Sequence, residues 1–174
     1  MITLDDLRAI CPRTNADRLE RFVEPLNDTM DEFSISANVE REAHFLAQVA
    51  HESGGFRYVR ELASGEDYEG RADLGNTESG DGVRFKGRGL IQITGRDNYR
   101  ACGDALGVDL LVEPSLLERA DLAARSAGWF WDSRNLNELA DRGDARAITK
   151  RINGGINGLQ DRLSYLEIAQ RRLT

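Results

Sequence analysis

The sequence predicts a mainly α protein with at most a small β element, and two observations support this fold class. Apolar residues recur at helical spacing in several segments, and residues that favour helix starts and ends bracket those segments. The length of 174 residues corresponds to a single domain, and 40% hydrophobic with 30% charged residues is typical of a globular chain.

The first two helices are predicted from capping and proline signals. Thr3 and Asp6 stand in a pattern that resembles a capping box, and Pro12 should stop the helix that they open. A second helix is predicted over Asn15–Glu32, with an apolar stripe on one side. Pro25 should kink or split this helix.

The third helix is the one that bears on chemistry. Ser36 or Asn38 can cap its start, it should run to about Ser53, and Gly54 and Gly55 should end it. The following stretch, 63–83, is rich in Gly, Asp, Glu and Ser and is predicted to be loop with at most a turn of helix or a short hairpin.

The remaining elements are again mostly helical. Residues 90–94 fit either a short buried strand or the entry to a helix. Helices are then predicted at Arg96–Leu106, from Pro114 to Ala120, and at Leu122–Trp131, Leu136–Asp141, Ala145–Ile152 and Leu159–Leu173.

The net charge of −7 argues against nucleic acid as the main partner. The positive charge is nevertheless uneven, since one short stretch holds five basic residues, Arg84, Lys86, Arg88, Arg96 and Arg100, with only Asp97 to oppose them. This basic cluster is either an ordinary solvated face or a rim that attracts an anionic polymer.

Compartment follows from two further features. The N-terminus shows no basic leader and no apolar core of a signal peptide, and no apolar run reaches the roughly 18–20 residues that span a bilayer. We therefore expect a cytoplasmic protein that does not insert in membranes. Cys11 and Cys102 are expected to be reduced, partly buried thiols.

Glu52 is the first candidate catalytic residue. It falls at the C-terminal end of the third helix and at the edge of its apolar stripe, where both desolvation and the helix dipole favour a neutral carboxylic acid. A protonated carboxyl is what a glycosidase needs in order to protonate a leaving oxygen. The alternative is a surface carboxylate paired with Arg41, Arg57 or Arg60.

Other chemistries fit poorly. The residue four after His51 is Gly55, so the His-Glu-x-x-His motif of zinc proteases is incomplete, and no metal or other cofactor is predicted. No Gly-x-Ser-x-Gly motif is present either. A glycosidase needs a second carboxylate, for which the candidates are Glu61 and three residues of the following loop, Glu66, Asp67 and Glu69.

Three segments, 43–56, 85–99 and 152–155, contain Ala-His-Glu-Ser-Gly-Gly, Gly-Arg-Gly-Leu-Ile-Gln-Ile-Thr and Asn-Gly-Gly in this order. Together they resemble glycoside hydrolase family 19, the chitinase family, and most closely its bacteriophage endolysin branch. The resemblance spans about residues 36–170. It implies a lysozyme-like, two-lobed helical domain over 1–174 with a cleft, a smaller lobe around 55–95, and no separate wall-binding domain.

The resemblance also implies roles for single residues. Glu52 is similar to the general acid, and Glu61 to the carboxylate that activates water for an inverting displacement, with Thr94 holding that water. Four residues match substrate-contacting positions, His51, Gln92, Asn98 and Asn153, and Arg162 resembles an arginine that supports the catalytic carboxylates. From the sequence alone, a helix C-cap is the favoured interpretation of Asn153–Gly155.

Plant chitinases of this family are secreted and braced by disulfides, whereas this chain shows neither feature. The expected activity is hydrolysis of β-1,4 linkages in peptidoglycan, between N-acetylmuramic acid and N-acetylglucosamine, by a monomer that reaches the wall from the host cytoplasm through a separate pore-forming protein. The alternatives are a chitinase that acts on N-acetylglucosamine polymers, and an inactive wall-binding or phage structural module.

Overall fold

The computed structural model describes all residues from Met1 to Thr174 and contains nine α-helices and no sheet. The helices are α1 (Leu4–Ile10), α2 (Ala16–Glu32), α3 (Val39–Glu52), α4 (Asp81–Arg84), α5 (Arg96–Leu106), α6 (Ala120–Ser133), α7 (Leu136–Asp141), α8 (Ala145–Asn153) and α9 (Leu159–Leu173). The predicted mainly α fold class is confirmed. None of these helices is long and apolar enough to cross a membrane.

The helix boundaries follow from local capping. Thr3 forms a complete capping box with Asp6 at the start of α1, and the Asn38 side chain accepts a hydrogen bond from the Arg41 amide at the start of α3. Gly54 and Gly55, with φ of 60° and 75°, turn the chain out of α3 through left-handed conformations that glycine adopts at low cost.

The main hydrophobic core surrounds α3. This helix packs most extensively against α9, and α2 packs against α6. Ala43, Leu46, Val49 and Ala50 of α3 are fully or almost fully buried. The end of α3 is therefore fixed by packing along the whole helix, and Glu52 is its last residue.

A second, smaller core lies along α5 and the start of α6. Phe85, Ile93, Tyr99, Cys102 and Leu106 belong to it, together with three leucines, Leu110, Leu117 and Leu122. The chain therefore has two hydrophobic cores, the main core and this smaller cluster. The smaller lobe around 55–95 and the cleft remain predictions.

The segment between α3 and α5 is mostly irregular, as predicted, and polar contacts organise it. It contains two 3-10 turns, Glu66–Tyr68 and Ala72–Leu74, and the one-turn helix α4. The buried Asn76 side chain donates to the Tyr68 carbonyl and accepts from the Arg96 amide. The Arg96 guanidinium binds the buried carboxylate of Asp81 with two hydrogen bonds of 2.6 and 2.8 Å.

Three local expectations need correction. Helix α2 continues through Pro25 without a break, so the predicted split is wrong. Residues 90–94 form neither a strand nor a helix entry: a turn closes here through hydrogen bonds of 2.7 and 3.1 Å between Arg88 and Ile93. The helix expected from Pro114 to Ala120 is a 3-10 helix over Pro114–Glu118, and α6 starts separately at Ala120.

Candidate active site

Glu52 lies where the sequence placed it, at the end of α3, with 21% of its side chain exposed. Its Oε1 accepts a hydrogen bond of 2.5 Å from Nη2 of Arg162 on α9. Its Oε2 makes no hydrogen bond within the protein. One carboxyl oxygen is therefore fixed by the core, and the other is available to a ligand.

Arg162 is almost completely buried, with 2% of its side chain exposed. Its Nη1 donates to Oε1 of Gln48, one helical turn before Glu52, at 2.5 Å, and its Nε has no partner. The buried guanidinium therefore holds Glu52 through a charge-assisted hydrogen bond from the core. The alternative of a surface pair between Glu52 and Arg41, Arg57 or Arg60 is wrong.

His51 makes a parallel contact beside this pair. Its Nδ1 lies 2.6 Å from Oδ2 of Asp161, the residue before Arg162. A Cβ on Gly158 would stand 2.4 Å from the His51 ring, so only glycine allows the chain to pass this close. His51 is thus held between α9 and the turn that precedes it, with 25% of its side chain exposed.

Glu61 belongs to a second group of side chains, which converges on Gly87. A Cβ built on Gly87 would lie 2.5 Å from Oε1 of Gln92, 3.2 Å from Oε2 of Glu61 and 3.3 Å from Oγ1 of Thr94. Any larger residue at Gly87 would displace these oxygens. The structure therefore brings together three of the predicted residues around one glycine α-carbon.

The oxygen atoms of this group differ in their partners. The Tyr68 hydroxyl donates to Oε2 of Glu61 at 2.9 Å, and burial together with the Glu61 charge raises the pKa of Tyr68. Oε1 of Glu61 and Oε1 of Gln92 are buried and receive no hydrogen bond from any protein group. Both atoms are acceptors, so a water molecule that donates hydrogen bonds would suit this position.

Thr94 and Asn98 connect this group to a cavity of about 130 Å³. The Asn98 side chain donates to the Thr94 carbonyl at 2.7 Å, and the Thr94 hydroxyl donates to the Gln92 carbonyl at 3.1 Å. The cavity is also lined by Trp129 and Phe130. An aromatic wall next to amide and hydroxyl groups is a surface that can bind a sugar ring.

Asn153 is not brought into contact with the other candidates. It is the last residue of α8, its side chain is exposed without a hydrogen bond, and Gly154 caps the helix with φ of 72°. The helix C-cap alternative is confirmed. The role of Asn153 in substrate binding stays a prediction.

The basic cluster at 84–100 is not a free cationic rim. Arg88 pairs with Glu118, Arg96 with Asp81 and Glu78, and Arg100 with Asp97. The remaining two, Arg84 and Lys86, donate to backbone carbonyls. Most of this positive charge is neutralised within the protein.

The two cysteines are buried free thiols, as predicted. Burial raises the pKa of Cys11 and of Cys102 to about 12, so neither is a ready nucleophile. The residues that the sequence did not reveal are Tyr68, Gly87 and Asp161. The spacing of Gln48, one turn before Glu52 on the same helix face, was a signal that could have indicated a second ligand for Arg162.

Comparison with known proteins places this geometry in a family. The family model described as chitinase class I matches residues 32–145, about two thirds of the chain. The chain belongs to glycoside hydrolase family 19. This family membership makes it a glycoside hydrolase. The matched region contains Glu52, Glu61 and Thr94, whereas Asn153 and Arg162 lie beyond it.

Single relatives agree with this assignment. A glycosyl hydrolase family 19 domain-containing protein of Haemophilus influenzae is 36% identical over 169 residues, a match that includes 74% of this chain and 82% of that protein. An endochitinase of Arabidopsis thaliana is 39% identical over 130 residues, which cover 71% of this chain. The match spans 44% of that plant enzyme's length.

Solved structures show the same fold. Chitinase C from Streptomyces griseus superposes with a TM-score of 0.77 at 25% identity, over 99% of this chain and 76% of that one. The class IV chitinase from Zea mays gives a TM-score of 0.78 at 23% identity, over 99% and 92% of the two chains. The fold therefore extends through α9, and the lysozyme-like helical architecture is confirmed.

Proposed function

We propose that this glycoside hydrolase cleaves β-1,4 linkages of peptidoglycan by an inverting mechanism with two carboxylates. The observation that carries the mechanism is the contrast between Glu52, which is held by Arg162 through one oxygen, and Glu61, which lies beside two other oxygen groups. Glycosidases of this type need one carboxyl as acid and another as base, roughly 6.5–9.5 Å apart in inverting enzymes.

In this mechanism, Glu52 protonates the leaving oxygen through Oε2, which has no protein partner, while Arg162 donates to the carbonyl oxygen Oε1. Glu61 takes a proton from water, and Thr94 and Gln92 orient that water. The water oxygen then bonds to the anomeric carbon as the glycosidic bond breaks. Glu61 gains a proton from water while Glu52 gives its own proton to the leaving oxygen, so the total charge is unchanged, and proton exchange with solvent then restores both carboxyl groups.

Peptidoglycan is proposed as substrate, and action after release from a host cytoplasm is part of the same proposal. The test is to digest purified sacculi, reduce the products with borohydride, and identify the reduced sugar by mass spectrometry. Reduced muramic acid is expected. Reduced glucosamine would assign the other bond, and intact sacculi would contradict the proposal.

Chitin is the second candidate substrate, because the named relatives include endochitinases and the basic cluster is neutralised. A chitinase would release soluble N-acetylglucosamine oligomers from chitin and leave sacculi intact. Both substrates should be assayed with the same preparation, with Glu52→Gln as the inactive reference. Binding to sacculi with no release of sugar from either polymer would support a binding module instead.

A further inference from the structure

A pocket of about 240 Å³ lies beside the catalytic acid and is not needed by the mechanism above. It opens between the chain after α1, the Gly54–Gly55 turn and the first turns of α9. We call it the arginine pocket; the residues that matter here are Arg13, Arg57, Asp161 and Tyr165. Asp161 also contacts His51, the residue before Glu52, while the next residue, Arg162, binds Glu52 itself. The start of α9 therefore contacts both this pocket and the acid.

The charges of the arginine pocket are unusual for this protein. Neither Arg13 nor Arg57 forms an ion pair with a carboxylate, and neither does Arg18, which donates to the Arg57 carbonyl. Only Nε of Arg57 has a protein acceptor, the Gly54 carbonyl at 2.6 Å. In a chain with a net charge of −7, two guanidinium groups without an ion-pair partner at one pocket favour an anionic ligand. The one carboxylate in the pocket wall, Asp161, is bound to His51.

The pocket also offers a hydroxyl and apolar walls. The Tyr165 hydroxyl makes no hydrogen bond within the protein, and Ile10 and Ile168 line the same space. Arg13 and Arg57 line the pocket together with Tyr165. Burial raises the pKa of Tyr165, nearby Cys11 and Asp161 raise it further, and the charges of Arg57 and Arg13 oppose the shift. A ligand with carboxylates and short aliphatic side chains would match these groups.

The position of Arg57 connects the arginine pocket to the catalytic base. Arg57 also lines a neighbouring cavity of about 300 Å³, whose wall includes Glu61 and Lys86. A polymer bound at Glu61 can therefore extend a substituent past Arg57 into the arginine pocket. Chitin carries no charged substituent, whereas peptidoglycan carries lactyl groups and short acidic peptides.

We propose that the arginine pocket binds the carboxylates of the peptide stem of peptidoglycan and so makes Arg13 and Arg57 specificity-determining residues. The inference rests on the proposed action on peptidoglycan. Because the lactyl carboxylate of muramic acid offers the same chemistry, the test must separate the two sources.

The experiment compares two substrates: peptide-bearing glycan strands, and strands from which an amidase has removed the peptides but not the lactyl groups. The Arg13→Gln/Arg57→Gln variant should lower the ratio of kcat/KM for these substrates about tenfold, as expected for two charge-assisted contacts at a partly exposed site. The matched control is Arg146→Gln, which removes an exposed, unpaired arginine outside these pockets and should leave the ratio unchanged.

An unchanged ratio in the double variant, or a larger loss on the peptide-free strands, would overturn the stem-peptide assignment while peptidoglycan hydrolysis stood. An equal loss would point to the glycan itself, and a larger loss on the peptide-free strands would point to the lactyl carboxylate, which is free there but amide-bonded in the peptide-bearing strands. Wild-type protein that hydrolyses neither strand would contradict the proposed function instead. Thermal unfolding of both variants, together with NMR titration of a stem peptide and its amidated form, separates lost binding from misfolding.

Discussion

The end of α3, which carries Glu52, and the segment of residues 57–95, which carries Glu61, are organised by different forces. Glu52 stands on a helix whose apolar side is buried against α9, and its partner Arg162 is inside the core. Glu61 lies in an irregular segment. This segment is held by side-chain hydrogen bonds, by the Arg96–Asp81 ion pair and by close contacts at Gly87. The acid is therefore coupled to global stability, whereas the base depends on local order.

Glu52→Gln is expected to have the largest effect on activity. Loss of a general acid lowers the rate about 10²–10⁴-fold. The variant should also unfold more easily, by about 1–3 kcal/mol, because buried Arg162 loses its only carboxylate partner. Release of reducing ends measures the first effect, and thermal unfolding measures the second.

A double-mutant cycle checks the coupling. Arg162→Met alone should destabilise the protein, but in the Glu52→Gln background it should cost less, because both members of the pair are then neutral. Additive losses of stability would show that the two side chains do not depend on each other.

Glu61→Gln should separate activity from stability. We expect a loss of about 10²-fold or more in rate, since the base that activates water is gone. The unfolding temperature should change little, because Tyr68 can donate to the amide oxygen of the new side chain and no protein group binds Oε1.

Variants of the other acidic residues of the same loop are the informative controls for Glu61→Gln. Glu69 accepts from the amides of Gly80 and Gly82, so its loss should affect the loop conformation, while Glu66 and Asp67 are exposed. If Glu61→Gln is fully active and Glu66→Gln or Asp67→Asn is inactive, the catalytic base is Glu66 or Asp67 and not Glu61.

Asp81→Asn tests the local order of the loop. The hydrogen bonds from Arg96 hold the pKa of Asp81 below its ordinary value, so the folded state prefers its ionised form. This stability is present above the unfolded pKa of about 3.8 and is lost as pH falls further. The free energy of unfolding of the variant should be lower by about 1–3 kcal/mol, and faster hydrogen exchange should be confined to residues near 76–96. Faster exchange throughout α3 as well would contradict a local role.

The helices were predictable because their signals are local. Leu136–Asp141 and Leu159–Leu173 were predicted with the observed bounds, and Glu52 was predicted at a helix end from the Gly-Gly break. Partners distant in sequence were not predictable. Arg88 pairs with Glu118, 30 residues away, and Arg96 with Asp81, so a cluster that looks cationic in sequence is mostly neutral.

The same limit applies to the site. Glu61, Thr94 and Gln92 were named from the resemblance, but their meeting at Gly87 depends on how two turns pack, which no periodicity records. Arg162 was named as a support for the carboxylates, and the structure adds its burial and its second ligand, Gln48. Unpaired Arg13 and Arg57 were overlooked because isolated arginines carry no pattern.

The smallest expected effect concerns His44, which lies two turns before Glu52 on α3. The ring is 1% exposed, neither nitrogen has a hydrogen-bond partner, and burial lowers its pKa from the ordinary 6.5, although nearby Glu40 and Asp144 oppose the shift. A lowered histidine pKa means that stability is complete above about pH 6.5 and is lost as pH falls below it.

His44→Met should therefore reduce the fall in unfolding temperature between pH 7 and pH 5 by a small amount, on the order of 2 °C for a chain of this size. Buried Glu42 shifts the opposite way, since burial raises its pKa and its contribution is lost as pH rises. Glu42→Gln is thus the matched control, and it should steepen the loss of stability at acid pH. If both variants leave the pH dependence of the unfolding temperature unchanged, groups outside α3 determine the loss of stability at acid pH. The part of α3 around Glu42 and His44 would then not share the link to global stability proposed for Glu52.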